Sequence, residues 1–217
     1  MYESIKSDIF KRLKESPPHS VFFLGDFAEL GSLETIRKIF LQARLAGLVS
    51  HLSHGIYIKP MQSRFGEVPP PLETVAKEIA QRDYVKIMPT GSTAANILGL
   101  STQIPMTVSY LTTGSSRTIN IGNRFIRFKH AAPKNFAYKG TTIPLIVQAL
   151  RDIGKEHINE ETLSSLALYM NKAKDKKDFN HDLLLAPAWI QTIIKPLITE
   201  KNEALATIQR DRTVAAY

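Results

Sequence analysis

The sequence predicts an α+β protein of two domains, on three observations. Apolar residues recur at helical spacing in some segments and alternate at strand spacing in others. Three consecutive prolines, Pro69 to Pro71, interrupt the chain after 68 residues, because a triple proline cannot enter a helix interior or a sheet ladder. The 217 residues, 43% of them apolar, suffice for a buried core in one large domain or two small ones, and the proline break favours two. The boundaries that follow are 1–60, a linker over 61–71, and 72–217 ending in helices.

In the first segment, Ile5, Ile9, Phe10 and Leu13 are spaced by three and four, which predicts an amphipathic helix from Tyr2 to Glu15, ended by Pro17-Pro18. Val21 to Leu24 reads as a short strand, and Asp26 as the cap of a brief helix that stops at Gly31. Ser32 opens the next helix, Leu33 to Ala46, with Ile36, Ile39, Phe40 and Ala43 on its inner face and Gly47 closing it. "LVSHLSHGIYIKP" then reads as a β-hairpin around Ser53-His54-Gly55.

Helix, strand, helix, tight turn, helix and hairpin, in that order, predict a winged helix-turn-helix. Such modules place the last helix in the major groove and the hairpin against the backbone or minor groove. The expected DNA-facing residues are Ser32, Thr35, Arg37, Lys38 and Gln42 on the helix and His51, Ser53 and His54 on the wing. Domains of this order also bind protein, and Leu41 and Leu45 fall on the outward side of the same helix.

In the second domain, Leu72 to Arg82 reads as a helix with Val75, Ile79 and Ala80 inward, followed by a short strand in "YVKIMPTG". "PTGSTAANILGL" (89–100) has the look of a phosphate loop, yet it lacks the several glycines and the adjacent lysine that cradle an anion. It is read instead as a turn at Gly91 and a helix, Ser92 to Leu98, capped by Ser92 or Thr93. "MTVSYLTTG" and "RTINIGNRFIRFKHA" alternate as strands around an Ile121-Gly122-Asn123-Arg124 turn, from which Arg124, or Arg127 with Lys129, project. Thr142 to Ile153 reads as an apolar helix. From Asn159 to about Asn202 the chain is expected helical, bent or broken at Pro187 and Pro196, with "AKDKKD" (173–178) as a polar loop and Trp189 as a core anchor.

The net charge of +8 is unevenly placed. Between Asp83 and Asp152 there is no acidic residue, while Lys86, Arg117, Arg124, Arg127, Lys129, Lys134, Lys139 and Arg151 all lie there. A basic field of this kind attracts nucleic acid or an acidic protein surface. Arg117, Arg124, Arg127 and Lys129 are the expected partner surface on the second reading, and a middle domain that binds nucleic acid by itself is a third.

Catalysis finds no constellation: the six histidines are scattered, with no pair at metal-ligand spacing on one helix. No enzyme, metal site or cofactor is expected. The absence of cysteine excludes disulfides and thiol chemistry. No stretch approaches the roughly 18 apolar residues of a membrane span and the first 20 residues lack a signal-peptide core, so a cytoplasmic protein is expected.

"GDFAELGSLETIRKIFLQARLAGLVSHLSHGIYIKP", "PTGSTAANILGLSTQIPMTVSYLTTGSSRTINIGNRFIRFKHAAPKN" and "APAWI" together resemble the AbiEi family of antitoxins, from the abortive-infection toxin-antitoxin systems called type IV. Gly91, Ser92, Ala95, Asn96, Leu98 and Gly99, with Ser101, Thr102, Gln103 and Pro105, match the family's signature, to which no catalytic duty attaches. The resemblance implies a winged-helix domain that binds inverted-repeat operator DNA, as a dimer or as two copies on a palindrome, and represses its own operon. It also implies a C-terminal domain with antitoxin activity, and a nucleotidyltransferase-like toxin as functional partner, neutralised without a stable complex. The chain departs from these relatives at "SHLSHG", where they tend to carry arginines, and at Leu41 and Leu45, where they tend to be polar.

Overall fold

In the computed structural model, which describes residues 2–103 and 105–198, the chain is a mixed α/β protein. The elements in order are α1 (Tyr2–Glu15), β1 (Val21–Phe23), a 3-10 turn (Leu24–Phe27), α2 (Leu33–Leu45), β2 (Ser50–Ser53), β3 (Ile56–Ile58), β4 (Met61–Ser63), β5 (Gly66–Val68) and α3 (Leu72–Arg82). There follow β6 (Ile87–Pro89), α4 (Ser92–Ile97), β7 (Thr107–Thr112), β8 (Arg117–Ile121), β9 (Arg124–His130), α5 (Thr142–Ile153), α6 (Glu160–Lys172) and α7 (Phe179–Leu184), with residues 188–198 again helical. No helix among the described residues is long and apolar enough to cross a membrane.

The chain divides into two compact units: one runs up to Val85 and takes in Arg117–Arg127, the other comprises Lys86–Ser116 and the chain from Phe128 onward. In the first unit, α1 and α2 bury their apolar stripes against the sheet β1-β3-β2. Ile9, Leu13, Ile36, Ile39 and Phe40 are inaccessible to solvent. An aromatic chain runs through this core: Phe27 meets Phe40 edge-on at 5.1 Å and Phe40 meets Tyr57 at 4.8 Å, the distances at which ring pairs add to simple burial. Ser32 caps α2 by accepting from the Thr35 N–H, as its position predicts. Lys59 closes the C-terminal end of α1, its ammonium donating to the carbonyls of Leu13 and Lys14.

Two expectations are corrected in this region. Asp26 is not the N-cap, a position that falls on Phe23, but from inside the 3-10 turn its carboxylate still caps the start by accepting the Phe23 N–H at 3.2 Å. The segment read as linker is not featureless, because β4 and β5 pair as an antiparallel hairpin with Met61 opposite Val68 and Arg64-Phe65 at its tip. The prolines exclude a ladder only where they stand, at 69–71, and Pro71 lies immediately before α3.

The second unit is built around α5, of which Thr142 through Leu150 are all buried, packed by α4, α6, α7 and the 188–198 helix. Trp189 lies against this core half-buried, while Ile190 and Ile194 are the residues that fill it. Pro187 starts the last helix, its carbonyl accepting from Ile190 and Gln191, and Pro196 lies within it. The expected continuation to Asn202 extends beyond the described residues.

A further sheet has the order β6-β7-β9-β8, with Ile87 opposite Thr112 and a β8–β9 turn in which Gly122 takes φ 62°. Neither Ser92 nor Thr93 caps α4. Gly91 holds the cap position without a side-chain bond, and the Thr93 hydroxyl accepts instead from the Ser109 N–H at 2.8 Å. Gly91 at φ 61° and ψ −143° occupies backbone space that favours glycine, and Asp152 Oδ1 would lie 3.2 Å from any Cβ placed there.

"AKDKKD" does more than link helices. Asp175 Oδ2 accepts from the Thr141 and Thr142 N–H groups at 2.6 and 2.9 Å, and its Oδ1 accepts the Thr142 hydroxyl at 2.6 Å, which satisfies the start of α5. Asp182, 1% exposed, accepts from the Lys139 and Gly140 N–H groups. A Cβ on Gly140 would overlap Asp175 Oδ2 and stand 3.1 Å from Asp182 Oδ2, so glycine is required by space alone.

Candidate functional site

Helix α2 presents two opposite faces. Ile36, Ile39, Phe40 and Ala43 fix the inner one, so a rotation of about 100° per residue sends Glu34, Lys38, Leu41 and Leu45 directly outward, with Arg37 and Arg44 on one flank and Thr35 and Gln42 on the other. Lys38 and Glu34 pair at 2.8 Å on this outer face. The hydrogen bond and charge of Lys38 hold the Glu34 carboxyl below its usual range, and Glu34 raises Lys38 in return. Leu41 and Leu45 are 51% and 79% exposed, so the outward stripe is half ionic and half apolar. Thr35 is half-buried, with its hydroxyl on the Ser32 hydroxyl at 3.0 Å.

The β2–β3 hairpin presents the other expected set. A bulge shifts the register between His51, opposite Tyr57, and Ser53, opposite Ile56, which leaves His54-Gly55 as a two-residue tip with Gly55 at φ 69°. His51 is exposed and stands edge-on to Tyr57 at 5.3 Å; His54 is exposed, and Ser53 is half-buried.

Between the end of α2, the root of β2 and the β4–β5 hairpin lies a cleft of about 490 Å³ lined by Arg44, Ser50, His51, Gln62 and Glu67 among others, where the Ser50 hydroxyl donates to Glu67 at 2.9 Å. At the tip of that hairpin, Phe65 is 85% exposed with the Arg64 guanidinium 4.7 Å from its ring centre. Sequence reasoning passed over Arg44, Arg64 and Phe65. The Ser-Arg-Phe-Gly turn between two short polar runs was the available signal, and the neighbouring prolines masked it.

The basic residues of the middle segment are not equivalent. Arg117 binds Asp83, which Arg82 also holds, its Nε donating at 2.8 Å. Burial pushes the Asp83 carboxyl up, but the hydrogen bonds and charges of Arg82 and Arg117 outweigh it and hold the group below the usual carboxylate range. Arg124 is half-buried and donates to the Pro70 carbonyl at 3.0 Å, so of the two alternatives for β9 it is Arg127 and Lys129 that stand exposed, on the strand face opposite Ile126 and Phe128.

Among the described residues no cluster of three or more histidine, aspartate or glutamate side chains has the geometry to hold a metal ion. No curated protein and no solved structure matches the chain. The profile of a family of unknown function, DUF6088, matches residues 8–178, which takes in both α2 with its hairpin and the basic strands; the chain belongs to that family.

Proposed function

We propose that the protein is a winged-helix, antitoxin-like transcriptional regulator. It binds an inverted-repeat operator through α2 and the β2–β3 hairpin, represses its own operon and counteracts a nucleotidyltransferase-like toxin. The observation that carries this reading is the presentation of α2: a Ser32-capped helix, seated by four buried apolar residues, offers Arg37, Lys38 and Gln42 to solvent, and an exposed His54-Gly55 turn follows it in the same unit. Lys38 and Gln42 then select sequence, while Arg37, His51 and His54 act on phosphate.

The test is a gel shift of the full chain on the DNA upstream of its own gene beside unrelated DNA, at two salt concentrations. A preference for its own promoter that survives the higher salt supports the reading. Equal, salt-sensitive binding to both DNAs refutes operator recognition, because charge alone would then hold the DNA. Lys38→Glu is expected to reduce the preference about tenfold, the order of a lost base contact; unchanged operator affinity removes Lys38 from the interface.

A second reading is a protein-interaction module. What favours it is the exposure of Leu41 and Leu45 at the centre of the outward face of α2, where a groove-reading helix is ordinarily polar, together with Arg127 and Lys129, exposed on β9 for an acidic partner. Charge reversal at Arg127 that abolishes partner binding while sparing DNA distinguishes the two.

A further inference from the structure

Within the first unit, the tip of the β2–β3 hairpin and strand β8 line one cleft of about 300 Å³. Ser53 and His54 contribute from the hairpin, Thr118 and Asn120 from β8, and Arg82 and Arg117 complete it. By sequence, His54 belongs to the expected DNA-facing set and Arg117 to the expected partner surface; the fold places them on the same concavity. Both guanidiniums are held by neighbouring groups. Arg82 lies 4.3 Å from the ring centre of Phe23 and donates to Asp83, Arg117 donates to the same carboxylate, and about a third of each side chain remains accessible. Two fixed cations share one anion, and no other carboxylate lines the cleft, so its formal charge is positive before His54 is counted.

We propose that this cleft binds a phosphodiester group of the DNA backbone, extending the protein's contact from the wing onto β8. The inference rests on the DNA-binding reading above and adds a site to it. A preset pair of guanidiniums together with hydroxyl and amide donors is the composition that recognises phosphate oxygens. The volume lies at the lower limit of small-ligand pockets and suits a phosphate with its sugar. Ile56 and Ile119 supply the apolar lining, and no Phe, Tyr or Trp ring contributes to it.

The experiment titrates the full chain against a fluorescent duplex of its own upstream DNA over a salt series. The double variant Thr118→Glu/Asn120→Asp puts two carboxylates on the cleft without touching the Arg82–Asp83–Arg117 network. The variant Ser4→Glu/Ser7→Glu adds the same charge on the exposed side of α1. The cleft variant is expected to bind at least about tenfold more weakly and to lose about one from the slope of log K against log salt, as one neutralised phosphate predicts, with its melting temperature unchanged. The α1 variant is expected to stay within about threefold of the parent, since its two charges lie outside the cleft. Equal losses in the two variants, or no loss in the cleft variant while the parent binds duplex, overturn the site. A parent chain that binds no duplex at all overturns the DNA-binding reading and the site together.

Discussion

Removing the Asp175 carboxylate tests how the second unit is held together. In Asp175→Ala the N–H groups of Thr141 and Thr142 and the Thr142 hydroxyl all lose their acceptor at the start of α5. A hydrogen bond to a charged group contributes about 1.5–3 kcal/mol where water cannot replace it. Thr142 is 3% exposed and meets that condition, whereas Thr141 is exposed and recovers most of its loss from water. The expected destabilisation is therefore about 3 kcal/mol, or a fall in Tm of about 6–12 °C for a domain of this size. Thermal and urea unfolding followed by far-UV circular dichroism read it directly.

The pH dependence supplies an independent sign. Burial pushes Asp175 up, but the Thr142 hydroxyl and the Thr142 and Thr141 N–H groups outweigh it, and the folded group titrates below its usual range. Its contribution is thus complete above the unfolded pKa of about 3.9 and disappears as pH falls through the folded value. Asp175→Asn, which keeps one acceptor oxygen but no charge, is expected to lie between parent and alanine variant at pH 7 and to lose less stability on acidification than the parent. A loss below about 0.5 kcal/mol in the alanine variant at pH 7 would place it among ordinary surface substitutions and refute this reasoning.

Phe40→Ala, at the centre of the first unit's aromatic chain, is expected to cost about 3–5 kcal/mol in chemical unfolding, since the site has no solvent to collapse towards. Gly91→Ala is expected to cost about 1–3 kcal/mol from its backbone conformation, with the close approach of Asp152 Oδ1 adding to it; pairing it with Asp152→Ala should recover only the contact part, and full recovery would show that the backbone carries no strain. Leu41→Ser/Leu45→Ser is expected to leave the melting temperature within about 2 °C of the parent, because both side chains are exposed. Analytical ultracentrifugation of that variant separates the readings of α2: loss of self-association with unchanged DNA affinity assigns the stripe to protein contact.

Local periodicity made most elements legible. Tyr2–Glu15, Leu72–Arg82 and Thr142–Ile153 form over the residues that spacing and breakers delimit, and Ser32 caps the helix it precedes, because these choices are settled within one or two turns. What the sequence hid is non-local. Asp83 finds Arg117 across 34 residues and Asp175 finds Thr142 across 33, and nothing near either aspartate distinguishes it from a solvated one. Thr93 illustrates the same competition: its hydroxyl was legible as a helix cap, but the N–H of Ser109, arriving from β7, takes it. The β4–β5 hairpin escaped because its strands are three residues each, too short for alternation to register beside three prolines.

The basic window between Asp83 and Asp152 gains meaning only after this internal pairing is subtracted. Eight cations stand there without an acidic residue among them, yet the fold commits Arg117 to Asp83 at the window's edge and turns Arg124 toward the Pro70 carbonyl. An arginine that donates to a carbonyl keeps its charge, whereas one that shares a carboxylate gives up part of its field, so the two withdrawals differ. Arg124 keeps its full charge with one nitrogen engaged at the Pro70 carbonyl, while Arg117 is weakened at a distance but stays in place at the cleft that it lines. Steering and contact therefore fall to different residues. If the protein binds DNA as proposed, exposed Arg127 and Lys129 would act mainly on the encounter rate, and the Arg82–Arg117 pair mainly on the dissociation rate.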